Sequence, residues 1–538
     1  MNQILLLTGA VILLCLLMEH FIERSGVPSL FFFILLGMSF GENGIFRIPF
    51  DDYQAAETVC AASLIFIMFY GGFGTNLEEA RPTAGKAVLL STLGVAMTAG
   101  LVGLFVHTVL GLAWLESLLI GSVIASTDAA SVFNILRARR LGLKDRTASL
   151  LELESGSNDP MSYMLTAVML KLLTGGAVSV PLLLLRQIGF GVLCGAAIGL
   201  AAVWMLGHAS FGIEAGKTIF VVAAAVLAYA LPSVFGGNGY LSVYLCGIFM
   251  GNAAILGKRE LVRFFDALTG MAQMLIFFLL GLLVTPVRLP LVILPALLIM
   301  LFMTFCARPL AVFAILLPFR APLRQMLAVS WAGLRGAASI VFAIMAVLSG
   351  VPMRYNLYDL VFCMVLFSIS VQGSLLPFVC RKLGLIDQKT DVRRTFNDYQ
   401  EETDICFVKA KISQGHPYTG RKIAALCFPP EFLVAMILRG EEKLVPNGET
   451  VIQSGDLLVL AAPAFTEGEN LKLTERVIAR GGKWDGMCLR ELKIPPGELV
   501  VTVRRKDRSL IADGATRIEA GDILVIARSE KRRNPEDT

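Results

Sequence analysis

The sequence has few charges and lacks the motifs of several common protein classes. Charged residues make up 17 % of its 538 residues, and only four residues are histidine. No GxxxxGKS or GxxxxGKT phosphate-binding loop occurs, which argues against ATP hydrolysis by this chain. The ten cysteines include no CxxC pair, so we interpret them as reduced packing residues. A net charge of +5 is too small to indicate a nucleic-acid partner.

Apolar residues are abundant: they account for 56 % of the chain and lie mostly before residue 380. A helix needs roughly 20 residues to cross a bilayer, and on that scale the pattern predicts about thirteen membrane spans. The first, at residues 4–22, lacks the basic region and cleavage site of a signal peptide, so we expect it to be retained. The other predicted spans are residues 28–41, 55–73, 84–112, 115–133, 150–173, 181–206, 218–235, 239–254, 268–284, 291–317, 326–349 and 357–377.

Lysine and arginine are concentrated in alternate loops. About sixteen of them lie in one set of loops and about four in the other, and the positive-inside rule assigns the richer set to the cytoplasm. This set includes the basic segment 137–146. An odd number of spans then predicts that the N-terminus lies outside the cell and the C-terminal tail lies in the cytoplasm.

The C-terminal part is less apolar and contains an internal repeat. Its Gly455-Asp456 pair recurs 66 residues later as Gly521-Asp522. The pattern predicts two copies of a small α+β domain, which we expect to act as a sensor because neither copy contains a catalytic triad or a phosphate loop. The predicted domains are a transmembrane exchange domain at 1–380, a linker at 381–400, and regulatory domains at 401–465 and 466–532.

Two carboxylates lie inside predicted membrane spans. Asp159 is in the run ELESGSNDP at positions 152–160, and Asp128 follows Ser126 and Thr127 in an earlier span. A charged side chain at the bilayer centre costs at least about 2.5 to 3.5 kcal/mol, so it is expected to face a cavity, a counter-charge or a cation. Both aspartates are therefore candidate functional residues.

A buried carboxylate such as that of Asp159 can hold either a proton or a dehydrated monovalent cation, and this competition is what an ion exchanger needs. Asn158, Ser155 and Thr127 offer hard oxygen ligands nearby. A helix break near Thr127 would add backbone carbonyls. We therefore predict a cation and proton site formed by these residues together with Asp128.

Several of these residues have structural alternatives. Asp128 is equally suited to cap a broken helix. The intramembrane Arg335 needs a partner, and the simplest hypothesis is a structural ion pair with Glu154. Arg308 is either a residue that supports the core or a helix-end residue whose side chain reaches the membrane surface.

Three segments resemble the signatures of monovalent cation:proton antiporter family one, and in particular of the bacterial NhaP-type potassium/proton antiporters. They are ELESGSNDP at 152–160, GSVIASTDAASVF at 121–133 and WAGLRGA at 331–337. The resemblance covers almost all of the first 380 residues. Two departures are the absence of an aspartate near Tyr70 and Ala129 in place of the proline that is common after Asp128.

The resemblance implies an all-α polytopic membrane domain with thirteen helices, inverted repeats and two broken crossing helices, in a homodimer within the lipid of the cytoplasmic (inner) membrane. It implies that Asp159 binds cation and proton, that Asn158, Ser155 and Thr127 surround it, and that Glu154 and Arg335 stabilise the site. The Asn158-Asp159 pair implies electroneutral exchange. The resemblance also implies K+ or Na+ and H+ as the substrates, and no cofactor is expected.

The duplicated tail resembles the C-terminal domain of RCK (TrkA-C) regulators, which implies a small regulatory ligand such as a nucleotide. The leading hypothesis is an antiporter that exports K+ in exchange for entering H+ and is gated by its tail. A Na+/H+ antiporter of the same fold is the alternative. A cation channel would need a repeated filter sequence, and an intramembrane aspartyl protease using Asp128 and Asp159 would need a Gly-x-Gly-Asp context; the sequence contains neither.

Overall fold

The computed structural model of the protein describes residues 9, 11–17, 28–42, 44–48, 50–138, 141–175, 179–208, 215–253, 255, 258–387, 405–413, 416–426, 432–440, 442–463, 471–478, 484–492, 494, 498–505, 508–511, 514 and 516–529. The chain divides into two compact units, Met1–Gln400 and Glu401–Thr538. The first unit is helical and the second is built mainly of strands.

The first unit is a multi-pass helical membrane domain. Within the described residues, seven helices are long and apolar enough to cross a bilayer, and four shorter helices are also apolar. Its helices are α1 (Ser29–Phe40), α2 (Tyr53–Gly74), α3 (Leu77–Leu89), α4 (Val95–Leu110), α5 (Trp114–Ile124), α6 (Ala129–Ala138), α7 (Thr147–Leu173), α8 (Val180–His208), α9 (Gly216–Val234), α10 (Gly239–Gly251), α11 (Lys258–Leu282), α12 (Leu289–Phe302), α13 (Arg308–Leu316), α14 (Leu323–Trp331), α15 (Ala337–Leu348), α16 (Leu357–Phe367) and α17 (Ser374–Lys382). The predicted fold class is confirmed, while the count of thirteen spans stays a prediction.

One order of elements occurs twice in this domain. A long helix with a π-helical turn, a helix broken in its middle and a further helix follow one another in α3 to α7 and again in α12 to α17. The π-helical turns of the two long helices are Leu90–Gly94 and Met303–Ala307. A third such turn, Ser368–Gly373, separates α16 from α17. Turns of this kind are frequent at functional sites.

The two broken helices are α5 with α6 and α14 with α15. The chain leaves the helical conformation at residues 125–128 in the first and at residues 332–336 in the second. Both breaks lie in segments that the sequence singled out, at Thr127-Asp128 and at Arg335-Gly336. Gly336, which precedes α15, has an extended backbone.

Glycine allows helices of this domain to pack closely. A Cβ atom on Gly72 of α2 would lie 2.2 Å from the carbonyl oxygen of Tyr244 in α10. A Cβ atom on Gly195 of α8 would lie 2.6 Å from the carbonyl oxygen of Ser242, which is also in α10. Because a side chain at either glycine would push the helices apart, these residues serve close backbone approach.

A short antiparallel sheet joins the loop before α7 to the chain after α17. Strand β1 (Gly142–Leu143) pairs with β2 (Ile386–Asp387), and Lys144 N–H donates to the Leu385 carbonyl oxygen at 2.8 Å. Leu385 is fully buried. The segment up to residue 387 is thus paired with the loop before α7, and the predicted domain boundaries stay a prediction. Residues 388–400 of the predicted linker lie outside the described residues.

The second unit contains two four-stranded sheets of the same topology. The first has the strand order β3-β6-β4-β5 and the second the order β7-β10-β8-β9. The strands are β3 (Ile405–Lys411), β4 (Leu433–Arg439), β5 (Glu442–Leu444), β6 (Leu457–Pro463), β7 (Leu471–Val477), β8 (Glu498–Arg505), β9 (Arg508–Ile511) and β10 (Ile523–Ser529). Because each strand of the first sheet has its equivalent four strands later, the predicted duplication is confirmed.

Directly before an inner strand of each sheet, β6 or β10, a buried aspartate binds an arginine through both carboxylate oxygens. Arg439 donates to Asp456 at 2.8 and 2.9 Å, and Arg505 donates to Asp522 at 2.8 and 2.8 Å. The arginine hydrogen bonds hold the pKa of each aspartate below its usual value. The Gly-Asp turns recognised in the sequence therefore position a charged hydrogen-bond acceptor.

Replacing Arg505 by alanine should loosen the second copy of the tail domain and leave the first copy intact. The loss leaves the buried Asp522 carboxylate with fewer donors, which costs about 1 to 3 kcal/mol. In full-length protein, hydrogen exchange at residues 516–529 should accelerate. The equivalent segment of the first copy, at residues 450–463, should keep its wild-type exchange and is the internal control.

The same pair predicts a pH dependence. Because the pKa of Asp522 is lower in the folded protein than its unfolded value of about 3.9, the pair stabilises the domain above that pH. This stabilisation is lost as the pH falls through the folded pKa. Arg505→Ala should therefore matter less to hydrogen exchange at acid pH than at neutral pH, and an equal effect at both would contradict the assignment.

Candidate functional site

The two helix breaks lie against each other. Asp128 N–H in the first break donates to the Leu334 carbonyl oxygen in the second at 2.8 Å. Arg335, which is 1 % exposed, donates through Nη1 to the Ser126 carbonyl oxygen at 2.5 Å. Its backbone N–H donates to Ser368 Oγ at 3.0 Å. Backbone groups that the broken helices leave unpaired thus find partners across the breaks.

Helix α7 binds the first break through two side chains. Asn158 Oδ1 accepts from Thr127 N–H at 3.2 Å, and Asn158 Nδ2 donates to Thr127 Oγ1 at 2.5 Å. The Ser155 hydroxyl donates to the Thr127 carbonyl oxygen at 2.7 Å and accepts from Thr127 Oγ1 at 3.0 Å. All three residues are buried. Three residues that the sequence proposed for one site are therefore in direct contact.

Asp159 is the next residue of α7 and is 6 % exposed. Its Oδ1 atom has no hydrogen-bond partner in the part of the chain that the structure describes. Ser126 and the Asp128 carboxylate are both close enough to interact with it. Pro160 has no N–H, so the Gly156 carbonyl oxygen loses its helical hydrogen bond beside this group. A buried carboxylate oxygen without a partner is costly unless a proton or a cation binds it.

Asp128 adopts the capping geometry that the sequence left open as its alternative role. Its carboxylate accepts from Ser131 N–H at 3.2 Å and from Ser131 Oγ at 2.5 Å, at the start of α6. This is the hydrogen-bond pattern of an N-cap. A Cβ atom on Gly336 would lie 1.9 Å from Asp128 Oδ2, so only glycine fits opposite the cap. The role of Asp128 in ion binding stays a prediction.

The predicted ion pair between Glu154 and Arg335 is corrected by the structure. Glu154 binds Arg308 instead, with Nη1 and Nη2 of Arg308 at 3.0 and 2.9 Å from Glu154 Oε1 and Oε2. The two side chains are only 3 % and 1 % exposed. Asn158 Nδ2 also donates to Glu154 Oε1 at 3.3 Å. Arg335 is engaged with the Ser126 carbonyl oxygen of the other break.

Sequence reasoning missed the partner because the pairing depends on the tertiary position of Arg308. This residue begins α13 directly after the π-helical turn Met303–Ala307 and is 2 % exposed. A signal was present, since an arginine in the middle of an apolar segment requires a counter-charge. Two arginines, Arg308 and Arg335, met that description, and only the packed helices distinguish them.

A carboxylate also lies beside Tyr70, where the sequence has none nearby. Tyr70 Oη donates to Asp266 Oδ1 of α11 at 3.3 Å. The two residues are far apart in the sequence, so the span that contains Tyr70 gave no sign of it. The span that contains Tyr70 lacks an aspartate, but Asp266 of α11 supplies a carboxylate beside Tyr70.

The donor set at the site consists of oxygen atoms. Carboxylate, hydroxyl and carbonyl oxygens suit hard cations rather than transition metals. Across the described residues, no group of three or more His, Cys, Asp or Glu side chains is arranged to hold a metal ion. The arrangement can bind a proton or a small monovalent cation at Asp159.

Replacing Arg308 by alanine should lower the free energy of unfolding by about 3 to 5 kcal/mol, because it leaves the buried Glu154 carboxylate without its counter-charge. Unfolding by SDS in mixed micelles measures the change. The exposed Arg324, which pairs with Asp145 at 3.0 Å, is the matched control, and Arg324→Ala should cost about 0 to 1 kcal/mol.

A double variant separates pairing from packing. Glu154→Leu combined with Arg308→Met removes both charges and keeps apolar volume, so it should recover most of the stability lost in Arg308→Ala. A double variant as unstable as the single one would contradict the ion pair as the source of the loss.

Comparison with known proteins gives the family. The profile described as "Sodium/hydrogen exchanger, transmembrane" matches residues 9–382, and the profile described as "TrkA-C domain" matches residues 407–464 and 473–532. The K(+)/H(+) antiporter NhaP of Alkalimonas amylolytica is 38 % identical over 387 residues, which cover 71 % of this chain and 67 % of that protein. The K(+)/H(+) antiporter NhaP2 of Shewanella oneidensis is 33 % identical over 465 residues, covering 85 % and 80 %.

Among solved structures, the sodium proton antiporter MjNhaP1 of Methanocaldococcus jannaschii matches with a TM-score of 0.63 at 23 % identity, over 71 % of this chain and 99 % of that one. At this identity the match supports the fold alone. The resemblance inferred from the motifs and the duplicated tail is confirmed: the chain belongs to the sodium/hydrogen exchanger family and carries two TrkA-C domains.

Proposed function

We propose that this protein is a secondary antiporter that exchanges cytoplasmic K+ for external H+ at Asp159. The observation that carries the proposal is the buried Asp159 Oδ1 atom, which lacks a hydrogen-bond partner among the described residues beside a cluster of oxygen atoms at a helix break. The names of the relatives from Alkalimonas amylolytica and Shewanella oneidensis support K+ as the cation.

Competition at one carboxylate couples the two ions. A proton on Asp159 removes the negative charge that attracts a cation, and a bound cation excludes the proton. Each ion therefore crosses the membrane only when the other has left. Because Asn158 is neutral, the site carries one exchangeable charge, which supports electroneutral one-for-one exchange.

Hydroxyl oxygens next to Asp159 have lone pairs left for a cation. Ser155 Oγ and Thr127 Oγ1 each donate one hydrogen bond and accept one, so each oxygen keeps one free lone pair. Asn158 has a different role, because its amide oxygen and nitrogen are both hydrogen-bonded to Thr127. We assign Ser155 and Thr127 to the ligand shell and Asn158 to holding the break in place.

Na+ is the second candidate cation. The Na(+)/H(+) antiporter 1 of Methanocaldococcus jannaschii is 28 % identical over 362 residues and covers 65 % of this chain. K+ and Na+ bind the same oxygen ligands, and cavity size with ligand flexibility decides between them. The higher identity of the potassium-named relatives favours K+.

The orientation and assembly that we propose follow the charge pattern and the family. The basic loops lie in the cytoplasm, the N-terminus lies outside, and the tail lies in the cytoplasm of a protein in the cytoplasmic membrane. The membrane domain forms a homodimer. Residues 1–380 carry out exchange, and residues 401–465 and 466–532 form two regulatory domains.

The tail regulates exchange by binding a small ligand such as a nucleotide. The pairing of β1 with β2 supports a mechanical route, because the chain that leads to the tail leaves from a sheet attached to the loop before α7. Helix α7 carries Asp159. A force on residues 386–387 therefore reaches the helix of the exchange site through hydrogen bonds and the buried Leu385.

Replacing Asp159 by asparagine should abolish exchange and leave the protein folded and dimeric. Asparagine has the same shape and cannot exchange a proton for a cation. Proteoliposomes with an imposed pH gradient and a lumenal pH dye report collapse of the gradient when K+ or Na+ is added. Asp52→Asn is the isosteric control, because Asp52 is an exposed N-cap of α2 and asparagine also caps helices. If Asp159→Asn retained exchange, the ions would bind at another residue.

Truncation after Asp387 should change the ligand or pH dependence of exchange and leave ion selectivity unchanged. This end point keeps β2 paired with β1. A second variant with a flexible Gly-Ser insertion after Asp387 keeps the tail and breaks its mechanical link, and should behave like the truncation. A changed K+ to Na+ preference would contradict a gating role.

A further inference from the structure

Helix α7 carries a second buried carboxylate on the same face as Asp159. Glu152 is 5 % exposed. It precedes Asp159 by seven residues, which in an α-helix places the two side chains within about 20° of each other and about two turns apart. Glu154, by contrast, lies about 140° from Asp159 and is paired with Arg308. The two glutamates of the motif therefore point to different surroundings.

The face that Glu152 shares with Asp159 is turned toward α10. A Cβ atom on Gly156, between the two acids, would lie 2.8 Å from the ring of Tyr244 and 3.0 Å from its hydroxyl oxygen. One turn beyond Asp159, the rings of Tyr163 and Tyr240 pack at 5.2 Å. The contact with α10 thus extends along this face of α7.

Electrostatics links the two acids across this contact. The carboxylates of Glu152 and Asp159 both interact electrostatically with the Tyr244 hydroxyl. A cation that approaches Asp159 along this face of α7 would therefore also meet the Glu152 carboxylate.

The position of Glu152 along α7 indicates the side of the membrane that is nearer to it. Helix α7 begins at Thr147, directly after the basic segment 137–146. Glu152 lies between this end and Asp159. With the orientation proposed above, an ion that leaves the cytoplasm for Asp159 passes Glu152 first.

We infer that Glu152 is a cytoplasmic-side affinity residue of the exchanger, whose charge draws K+ from the cytoplasm toward Asp159. The inference rests on the proposed function and adds to it a residue that acts on the cation before it reaches the site. Glu152 leaves the exchange chemistry to Asp159. Its charge sets how much cytoplasmic K+ is needed for half-maximal exchange.

Coulomb's law gives the size of the effect. Two turns of helix separate the carboxylates by about 10 Å, and effective dielectric constants between about 80 and 20 then predict about a two- to fifteenfold loss of apparent K+ affinity when the charge is removed. The loss should shrink at high ionic strength, because the Debye length falls from about 10 Å at 0.1 M salt to about 3 Å at 1 M.

Inside-out membrane vesicles from cells without other K+/H+ antiporters test the inference, since their outer face is the cytoplasmic one. Glu152→Gln should raise the KM for added K+ by about two- to fifteenfold at low ionic strength, with the maximal rate nearly unchanged. Added choline chloride should reduce the ratio. Glu152→Asp keeps the charge and should keep the KM near the wild-type value. Right-side-out vesicles, which present K+ to the other face, should show a much smaller change in KM.

Three results would overturn the inference. One is an unchanged KM in Glu152→Gln. Another is a loss of maximal rate or of folded protein that Glu152→Asp shares, which would assign Glu152 a structural role. The third is an equal change in KM at both faces of the membrane.

A binding measurement separates this inference from the proposed function. Thermal stabilisation of the purified full-length protein by K+ gives a half-saturating concentration without any transport. Glu152→Gln should raise that concentration, and Asp159→Asn should remove the stabilisation. Wild-type protein that binds K+ without exchanging it would end the proposed function, while the half-saturation ratio still decides the role of Glu152. Protein that neither K+ nor Na+ stabilises would overturn both.

Discussion

The rest of the membrane domain depends on one constraint: backbone polar groups inside a bilayer must be paired, even where a helix is interrupted. Each break here is paired by the other. Asp128 N–H binds the Leu334 carbonyl oxygen, and Arg335 binds the Ser126 carbonyl oxygen. Asn158 of α7 pairs the backbone of Thr127 between them. Beside these paired groups, Asp159 Oδ1 is a buried carboxylate oxygen without a hydrogen-bond partner among the residues that the structure describes. The proposed cation site thus lies next to the point where the breaks are closed.

Helical periodicity then divides the acids of one short motif among different tasks. Glu154 points into the helix bundle and neutralises Arg308, which binds the π-interrupted long helix to α7. Asp159 is buried on the same helix, close to Ser126 and Asp128. Glu152 points with Asp159 toward Tyr244 of α10. The Glu154–Arg308 pair links α7 to α13, while Glu152 and Asp159 lie on the face of α7 that packs against α10. A single helix therefore carries both the buried ion pair and the acid of the proposed exchange site.

The tail consists of two copies of one small domain. Both copies of the tail domain repeat one strand order and one arginine-aspartate pair. The chain between the membrane domain and the tail begins in a sheet formed with the loop before α7. The segment that leads to the tail is therefore hydrogen-bonded to the loop before the helix that carries Asp159.

Sequence alone determined the class of the protein. The length of the apolar segments, the uneven distribution of basic residues among the loops and the 66-residue repeat can all be read from the order of residues along the chain. It also singled out Asp159, Asn158, Ser155 and Thr127 as one candidate site, since polar residues at membrane depth stand out against an apolar background, and the structure places the last three in contact. It did not determine which arginine pairs with Glu154, that Asp128 caps α6, or that Asp266 lies beside Tyr70. Each of these is a contact between residues whose side chains meet only after the helices pack. Several residues have the chemistry of a suitable partner, and only the tertiary structure selects among them. The reason is that an ion pair or a cap requires two groups within about 3 Å of each other, and the sequence does not give that distance.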